Sequence, residues 1–189
     1  MTFRIGDFKP RIDPALLKDQ GGRGDGRPND QLRLSAQREG VDPALVAALV
    51  LQESSFDPAA LSRAGARGLM QVMPGTGRRI ARDKGQRFHR AALHDPVTSL
   101  DFGTRYLRQM SERFSGAVEK VLAAYNAGPH RVDAWTALRG ELTPEEFIES
   151  IPFTETRGYV TIVLGNREQY RRLYGLRSAP AAASEGARP

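Results

Sequence analysis

The sequence predicts a mainly α-helical protein with one folded domain between two irregular ends. Three observations point there. Apolar residues recur three and four apart, as in Leu45, Val46, Leu49 and Val50, which is the period of a half-buried helix. Asp-Pro pairs stand at 42–43 and 95–96, each joining an N-cap acceptor to the first helical position, where proline is tolerated. No segment sustains the period-two alternation that half-buried strands show.

Taken in order, residues 1–28 read as an N-terminal extension that ends in the glycine-rich linker GGRGDGRP, a composition that stays flexible. The domain follows over 29–176, and 177–189, rich in Ala and Pro, read as a disordered tail. Asp30 caps a short helix to about Glu39. Asp42-Pro43 opens a second helix, which ends near Ser54 because Asp57-Pro58 cannot continue it. A loop runs from about Asp57 to Arg67, with Gly65 and Gly68 as breakers. Asp95-Pro96 opens a long helix with Val97, Leu100, Thr104, Leu107 and Phe114 as its buried stripe. Past Gly116 a helix carries Val121, Leu122 and Tyr125. Asn126-Ala127-Gly128-Pro129 breaks it, and the next helix runs through Val132 and Trp135. Thr143-Pro144-Glu145-Glu146 is a further capped start. The last helix runs from Thr154 to Tyr174, with Tyr159, Val163, Tyr170 and Leu173 at helical spacing.

Bulk numbers narrow the functional classes. The chain has 189 residues, 40% apolar and 26% charged, enough to bury a core without staples. It has no cysteine, which excludes disulfides and thiolate metal sites. His89, His94 and His130 form no HExxH arrangement, so neither a metal nor another cofactor is predicted. The net charge of +6 draws a protein to polyanions, whether nucleic acid, anionic membrane or anionic cell wall. No nucleic-acid motif accompanies the charge, which argues against nucleic acid as a partner. No stretch approaches the ~20 apolar residues that span a bilayer. The N-terminus shows no signal-peptide core, so the chain reads as soluble and without a visible export signal.

Glu53 carries the chemical argument. In steps of four it continues the row Leu45, Leu49, and it stands three after Val50. A carboxyl group therefore falls on the core-facing stripe at the C-terminal end of its helix. Burial disfavours its charged form, and the negative end of the helix dipole does the same. A carboxylic acid that keeps its proton near neutral pH can protonate the leaving oxygen of a glycosidic bond. The alternative is a Glu53 that turns outward and pairs with Arg63 or Arg67.

Four blocks weigh against that alternative: Glu53-Ser54-Ser55-Phe56; Ser62 with the run Gly65 to Thr76, GARGLMQVMPGT; Ala123 to Pro129, AAYNAGP; and Ile151 to Val160, IPFTETRGYV. In order and spacing they resemble the soluble lytic transglycosylases, lysozyme-like domains that cut bacterial cell-wall glycan, over roughly residues 30–175. The resemblance implies a lysozyme-like catalytic domain with Glu53 as its acid/base. It implies that Ser62 bonds the acid or the substrate N-acetyl group. Gln71 and Met73, with Thr76, form the glycan wall, and Met70 fills core. Tyr125 orients the carboxyl, Glu155 contacts muropeptide or the surroundings of the acid, and Tyr159 lines the groove. Gly65 and Gly68 let the backbone approach the sugar.

The implied reaction cleaves the bond between N-acetylmuramic acid and N-acetylglucosamine without water, through attack by the muramoyl C6 hydroxyl, leaving a 1,6-anhydro end. One carboxylate suffices where most glycosidases use two. Asp57, before Pro58, is read as a turn residue. A goose-lysozyme-type hydrolase is the nearest alternative, followed by a cell-wall-penetrating component of a larger machine. The implied partner is the peptidoglycan strand, met by a monomeric domain at the bacterial cell wall. With no export signal in view, a phage particle or a specialised secretion system is the expected carrier, docked through the N-terminal extension. Where the family has an asparagine after the Asp-Pro start, this chain has Ser99, a change expected to weaken a local packing contact.

Overall fold

Both Asp-Pro starts cap helices in the computed structural model, which describes residues 28–174 and 176. Residues 1–27 of the expected extension, and the tail, lie outside the described residues. Asp42 Oδ1 accepts from Ala44 N at 3.0 Å at the head of α2 (Pro43–Ser54). Asp95 Oδ2 accepts from Thr98 N at 2.8 Å at the head of α4 (Pro96–Arg113). α1 (Pro28–Glu39) begins two residues before Asp30, with Pro28 as its first residue. Asp30 thus lies inside the helix instead of capping it.

α3 (Pro74–Asp83) was not anticipated. Its sequence, PGTGRRIARD, buries only Gly77, Ile80 and Ala81, too few apolar residues to announce a period. A 3₁₀ turn over Arg90–His94 follows. α5 (Val118–Ala127) stops at Gly128, whose φ of 94° suits a residue without Cβ. Pro129 starts α6 (Pro129–Arg139) directly after it. α7 (Pro144–Ser150) opens with a reciprocal box: Thr143 Oγ1 accepts from Glu146 N, and the Glu146 carboxylate accepts from Thr143 N. α8 (Thr154–Tyr174) has the expected bounds. Among the described residues there is no strand, only the isolated bridges Leu61–Arg67 and Arg67–Val72. The class is mainly α, as predicted.

α2 lies along α8, which also packs on α5, while α1 packs on α4. Ala44 through Val50 are all buried, so α2 is apolar around its whole circumference, as a central helix must be. Full burial of side chains such as Leu49 and Val50 stabilises the fold by roughly 2 kcal/mol each. From α8, Val160, Val163 and Tyr170 meet this core. Asp42 adds a polar clasp, since its Oδ2 accepts from Arg167 Nε at 2.7 Å and Arg171 Nη2 at 2.6 Å. One residue of the predicted buried stripe is misplaced: Val97 is 44% exposed, because it sits in the first turn of α4, at the edge of the packed face. Among the described residues no helix is long and apolar enough to cross a membrane.

Candidate active site

α2 delivers Glu53 to its last turn, and the chain then reverses through Ser55 and Phe56, both at positive φ (52° and 65°). Two non-glycine residues in the left-handed region are uncommon and mark a tightly constrained exit. The Glu53 carboxyl is half-buried, and Tyr159 donates its hydroxyl to Oε1 at 2.6 Å. Burial raises the Glu53 pKa from 4.5 to about 7, against the opposing effect of the Tyr159 hydrogen bond. Desolvation wins here because one hydrogen bond does not replace the water that a carboxylate loses. Glu53 makes no ion pair with Arg63 or Arg67; the Arg67 guanidinium turns to His94 instead, with Nη1 at 3.1 Å from Nε2.

Tyr125 and Tyr159 exchange the expected parts. Tyr159, buried on α8, is the phenol that holds the carboxyl. Tyr125 on α5 donates to the Met70 carbonyl at 2.9 Å. The reason is register: α8 runs beside α2, so its inward phenol reaches the carboxyl, while the Tyr125 hydroxyl on α5 reaches the loop after α2 at Met70. Tyr125 is still close enough to feel Glu53, since burial first and the Glu53 charge second hold its hydroxyl well above the usual phenol pKa.

A cleft of about 230 Å³ is lined by Gln71, Val72, Met73, Thr76, Tyr106, Tyr125 and residues 126–128; Glu53 is not among its lining residues, and Tyr125, whose hydroxyl feels the Glu53 charge, links the acid to it. Four predicted residues, Gln71, Met73, Thr76 and Tyr125, therefore meet in one place. Met73 is 45% exposed and Met70 fully buried, so one methionine offers surface to the cleft and the other fills core. Ser62 lies elsewhere. Its Oγ accepts from Ala66 N at 3.0 Å and closes a local turn. Glu155 is exposed at the start of α8, one turn before Tyr159 and on the same helix face. Asp57 serves its turn, accepting from Ala59 N at 2.8 Å.

Tyr106 is the cleft residue that the sequence reading missed. Its ring packs against Tyr125 at a tilt of 55°, with centroids 5.3 Å apart. The spacing Phe102, Tyr106, Met110 was a signal that could have found it. Asn126, Ala127 and Gly128 were read as a helix stop, and they also form the end wall of the cleft. Asn126 Oδ1 accepts from Thr156 Oγ1 at 2.7 Å, which fixes that wall to α8.

The irregular segment between α2 and α3 is held by polar ties. Ser54 Oγ donates to the Leu69 carbonyl at 2.9 Å, and Met70 N donates to Ser99 Oγ at 3.2 Å. Ser99, where a weakened contact was expected, is fully buried and serves as an anchor. Gln71, at φ 44°, donates from Nε2 to the carbonyls of Gly68 (2.9 Å) and Ala60 (3.2 Å). Gly68 does permit a close approach, though to protein: a Cβ there would lie 1.9 Å from the Leu93 carbonyl oxygen. Gly65, at φ 88°, has open space around it. Among the described residues no group of three or more acidic or histidine side chains is placed to hold a metal.

A helical domain with one proton-holding carboxyl linked through Tyr125 to an aromatic, methionine-edged cleft is the class of site that fold and residues define. The chain belongs to the transglycosylase SLT domain family, whose model matches residues 31–148. It is similar to the soluble lytic murein transglycosylase of Salmonella typhimurium, 36% identical over 160 residues that cover 83% of this chain and 25% of the relative. Among solved structures it is similar to the 70 kDa soluble lytic transglycosylase of Escherichia coli. That match has a TM-score of 0.75 and 36% identity over 85% of this chain and 26% of that one. An inactive glutamate-to-glutamine mutant of lytic transglycosylase Slt from Pseudomonas aeruginosa matches with a TM-score of 0.74 and 36% identity, over 78% and 24%. The lysozyme-like helical fold thus stands, and the chain spans about a quarter of the length of these relatives.

Proposed function

We propose that this chain is a peptidoglycan lytic transglycosylase domain acting at the bacterial cell wall, with Glu53 as acid and then base. The observation that carries this reading is the Glu53 carboxyl, held by Tyr159 at 2.6 Å and keeping its proton up to about pH 7. In the first step Glu53 gives its proton to the oxygen joining N-acetylmuramic acid to N-acetylglucosamine, and the C1–O bond breaks. The substrate's own N-acetyl group stabilises the positive charge at C1. Glu53, now a carboxylate, takes the proton of the muramoyl C6 hydroxyl as O6 bonds to C1. The products are a free N-acetylglucosamine end and a 1,6-anhydro end, and Glu53 is protonated again. A nucleophile in the same sugar gains from proximity, so no second carboxylate is needed to activate water.

In this reading Gln71, Met73 and Thr76 form the glycan wall with Tyr106 and Tyr125. Tyr159 orients the acid. Ser62 and Glu155, outside the cleft, serve the N-acetyl group or the stem peptide at its approaches. Digestion of purified sacculi by wild type and Glu53→Gln, with mass analysis of the muropeptides, tests the proposal. Wild type should release anhydro-muropeptides, and Glu53→Gln should release them ~1,000-fold more slowly, the scale of a lost general acid. Reducing ends instead would point to a hydrolase, and equal release by both proteins would remove Glu53 from the chemistry.

A further inference from the structure

Away from the cleft, the geometry points to His94 as a positioning residue that, as a neutral imidazole, braces the segment carrying Gln71. This rests on the reading of Glu53 as the acid linked to the cleft that Gln71 lines. Arg67 is the junction of that segment. Its N–H donates to the Val72 carbonyl at 3.2 Å, Val72 N donates back at 3.0 Å, and a second bridge joins it to Leu61. The tip between them, Gly68 to Gln71, closes with Gln71 N donating to the Gly68 carbonyl at 3.1 Å. The Ala60 carbonyl gathers Gly68 N at 3.0 Å and Gln71 Nε2 at 3.2 Å. The placement of Gln71 therefore depends on where the limb 58–60 lies against the Arg67 junction.

His94 joins those two points. Its Nδ1 is 3.0 Å from the Pro58 carbonyl, and its Nε2 is 3.1 Å from Arg67 Nη1. A carbonyl only accepts and a guanidinium only donates, so the ring proton sits on Nδ1 and Nε2 accepts. Among the described residues this is the Arg67 guanidinium's hydrogen bond, and its Nε is buried without a partner. Leu93, the residue before, presses its carbonyl against Gly68. The 3₁₀ turn thus meets the segment at three places, Pro58, Arg67 and Gly68.

An imidazolium has no acceptor atom. A second proton on His94 removes the Arg67 bond and sets two cations against each other. The other charged groups of the neighbouring elements do not offset this. Asp57 is engaged by Ala59 N, and Asp95 by Thr98 N and Oγ1 at 2.8 and 2.7 Å. Arg63 and Arg90 are exposed on the same two segments and make no bond to the ring. Loss of the Nε2 acceptor should therefore loosen the Gln71 segment while leaving Glu53 and its Tyr159 bond in place.

The test compares wild type, His94→Gln and His94→Ala. Glycan release is followed at neutral pH, and amide hydrogen exchange at Arg67 and Val72 is followed without substrate. Gln can accept from Arg67 and donate to Pro58, whereas Ala can do neither. His94→Ala should lose about tenfold in kcat/KM, and His94→Gln should restore it to within about twofold of wild type. His94→Ala should exchange the Arg67 and Val72 amides about tenfold faster at neutral pH, as loss of one charge-assisted bond implies. Its α2 amides should stay at wild-type rates. Exchange in His94→Gln as fast as in His94→Ala, or unchanged exchange in His94→Ala, overturns the proposal. The exchange arm needs no turnover, so a wild type that fails to cut glycan sinks the functional reading and leaves the brace separately tested.

Discussion

The α2–α8 pair and the segment from Ser55 to Met73 both shape the site, and they are built by different physics. The helix pair is joined by burial: Ala44 to Val50 vanish from solvent against Val160, Val163 and Tyr170. The segment, with its left-handed turns at Ser55, Phe56 and Gln71, is tied down by hydrogen bonds donated by Ser54, Tyr125 and Gln71 and by one that Ser99 Oγ accepts from Met70 N. A rigid apolar frame thus sets the acid, and a polar-tied wrap sets the surface that meets the ligand. The two meet at Glu53, in the last turn of α2 and two residues before the wrap begins.

The wrap should be the more brittle of the two. Gly68→Ala forces a Cβ onto the Leu93 carbonyl at a φ of 75°, which should cost on the order of 3 kcal/mol or more. A Tm drop of only a degree or two would mean that the segment yields easily and that the comparison is drawn too sharply. The frame carries its own penalty at Glu53. The folded carboxyl keeps its proton to about pH 7, against an ordinary 4.5. The folded state therefore binds more protons across that window, and stability falls as pH rises through it. Relative to Glu53→Gln, wild type should lose about 3 kcal/mol between pH 4.5 and pH 7.5, read by denaturant melts at both pH values. Parallel stability curves for the two proteins would show that the carboxyl is not desolvated.

Tyr159→Phe sharpens the comparison at the contact itself. The Tyr159 hydrogen bond lowers the Glu53 pKa, so its loss should move the alkaline limb of glycan cleavage to higher pH. Turnover should fall about tenfold as the carboxyl loses its orientation. A limb that moves downward would mean that Tyr159 stabilises the protonated form.

The same contrast explains what the sequence disclosed. Helices packed on the core announce themselves: α2, α5, α7 and α8 were readable from Leu49, Leu122, the Thr143 box and Val163, because burial imposes a period and caps mark the ends. α3 was not readable, since it lies at the rim and buries a single large side chain, Ile80. Of the site, Glu53 was legible as a carboxyl in an apolar row. Gln71, Met73 and Thr76 were legible only through family likeness, because an irregular segment has no period to betray which side chains converge. The exchange of parts between Tyr125 and Tyr159 could not be read, since it depends on which helix lies against α2. Tyr106 had a legible spacing with Phe102 and Met110, yet a stripe predicts burial and does not say that a cleft opens there.

The most direct measurement is a carbon-13 NMR titration of the Glu53 side-chain carboxyl, assigned by its disappearance in Glu53→Gln. A midpoint near 7 is the value this account predicts. A midpoint near 4.5, the ordinary value for an exposed glutamate, would mean that the group is ionised at neutral pH and is not the proton donor proposed.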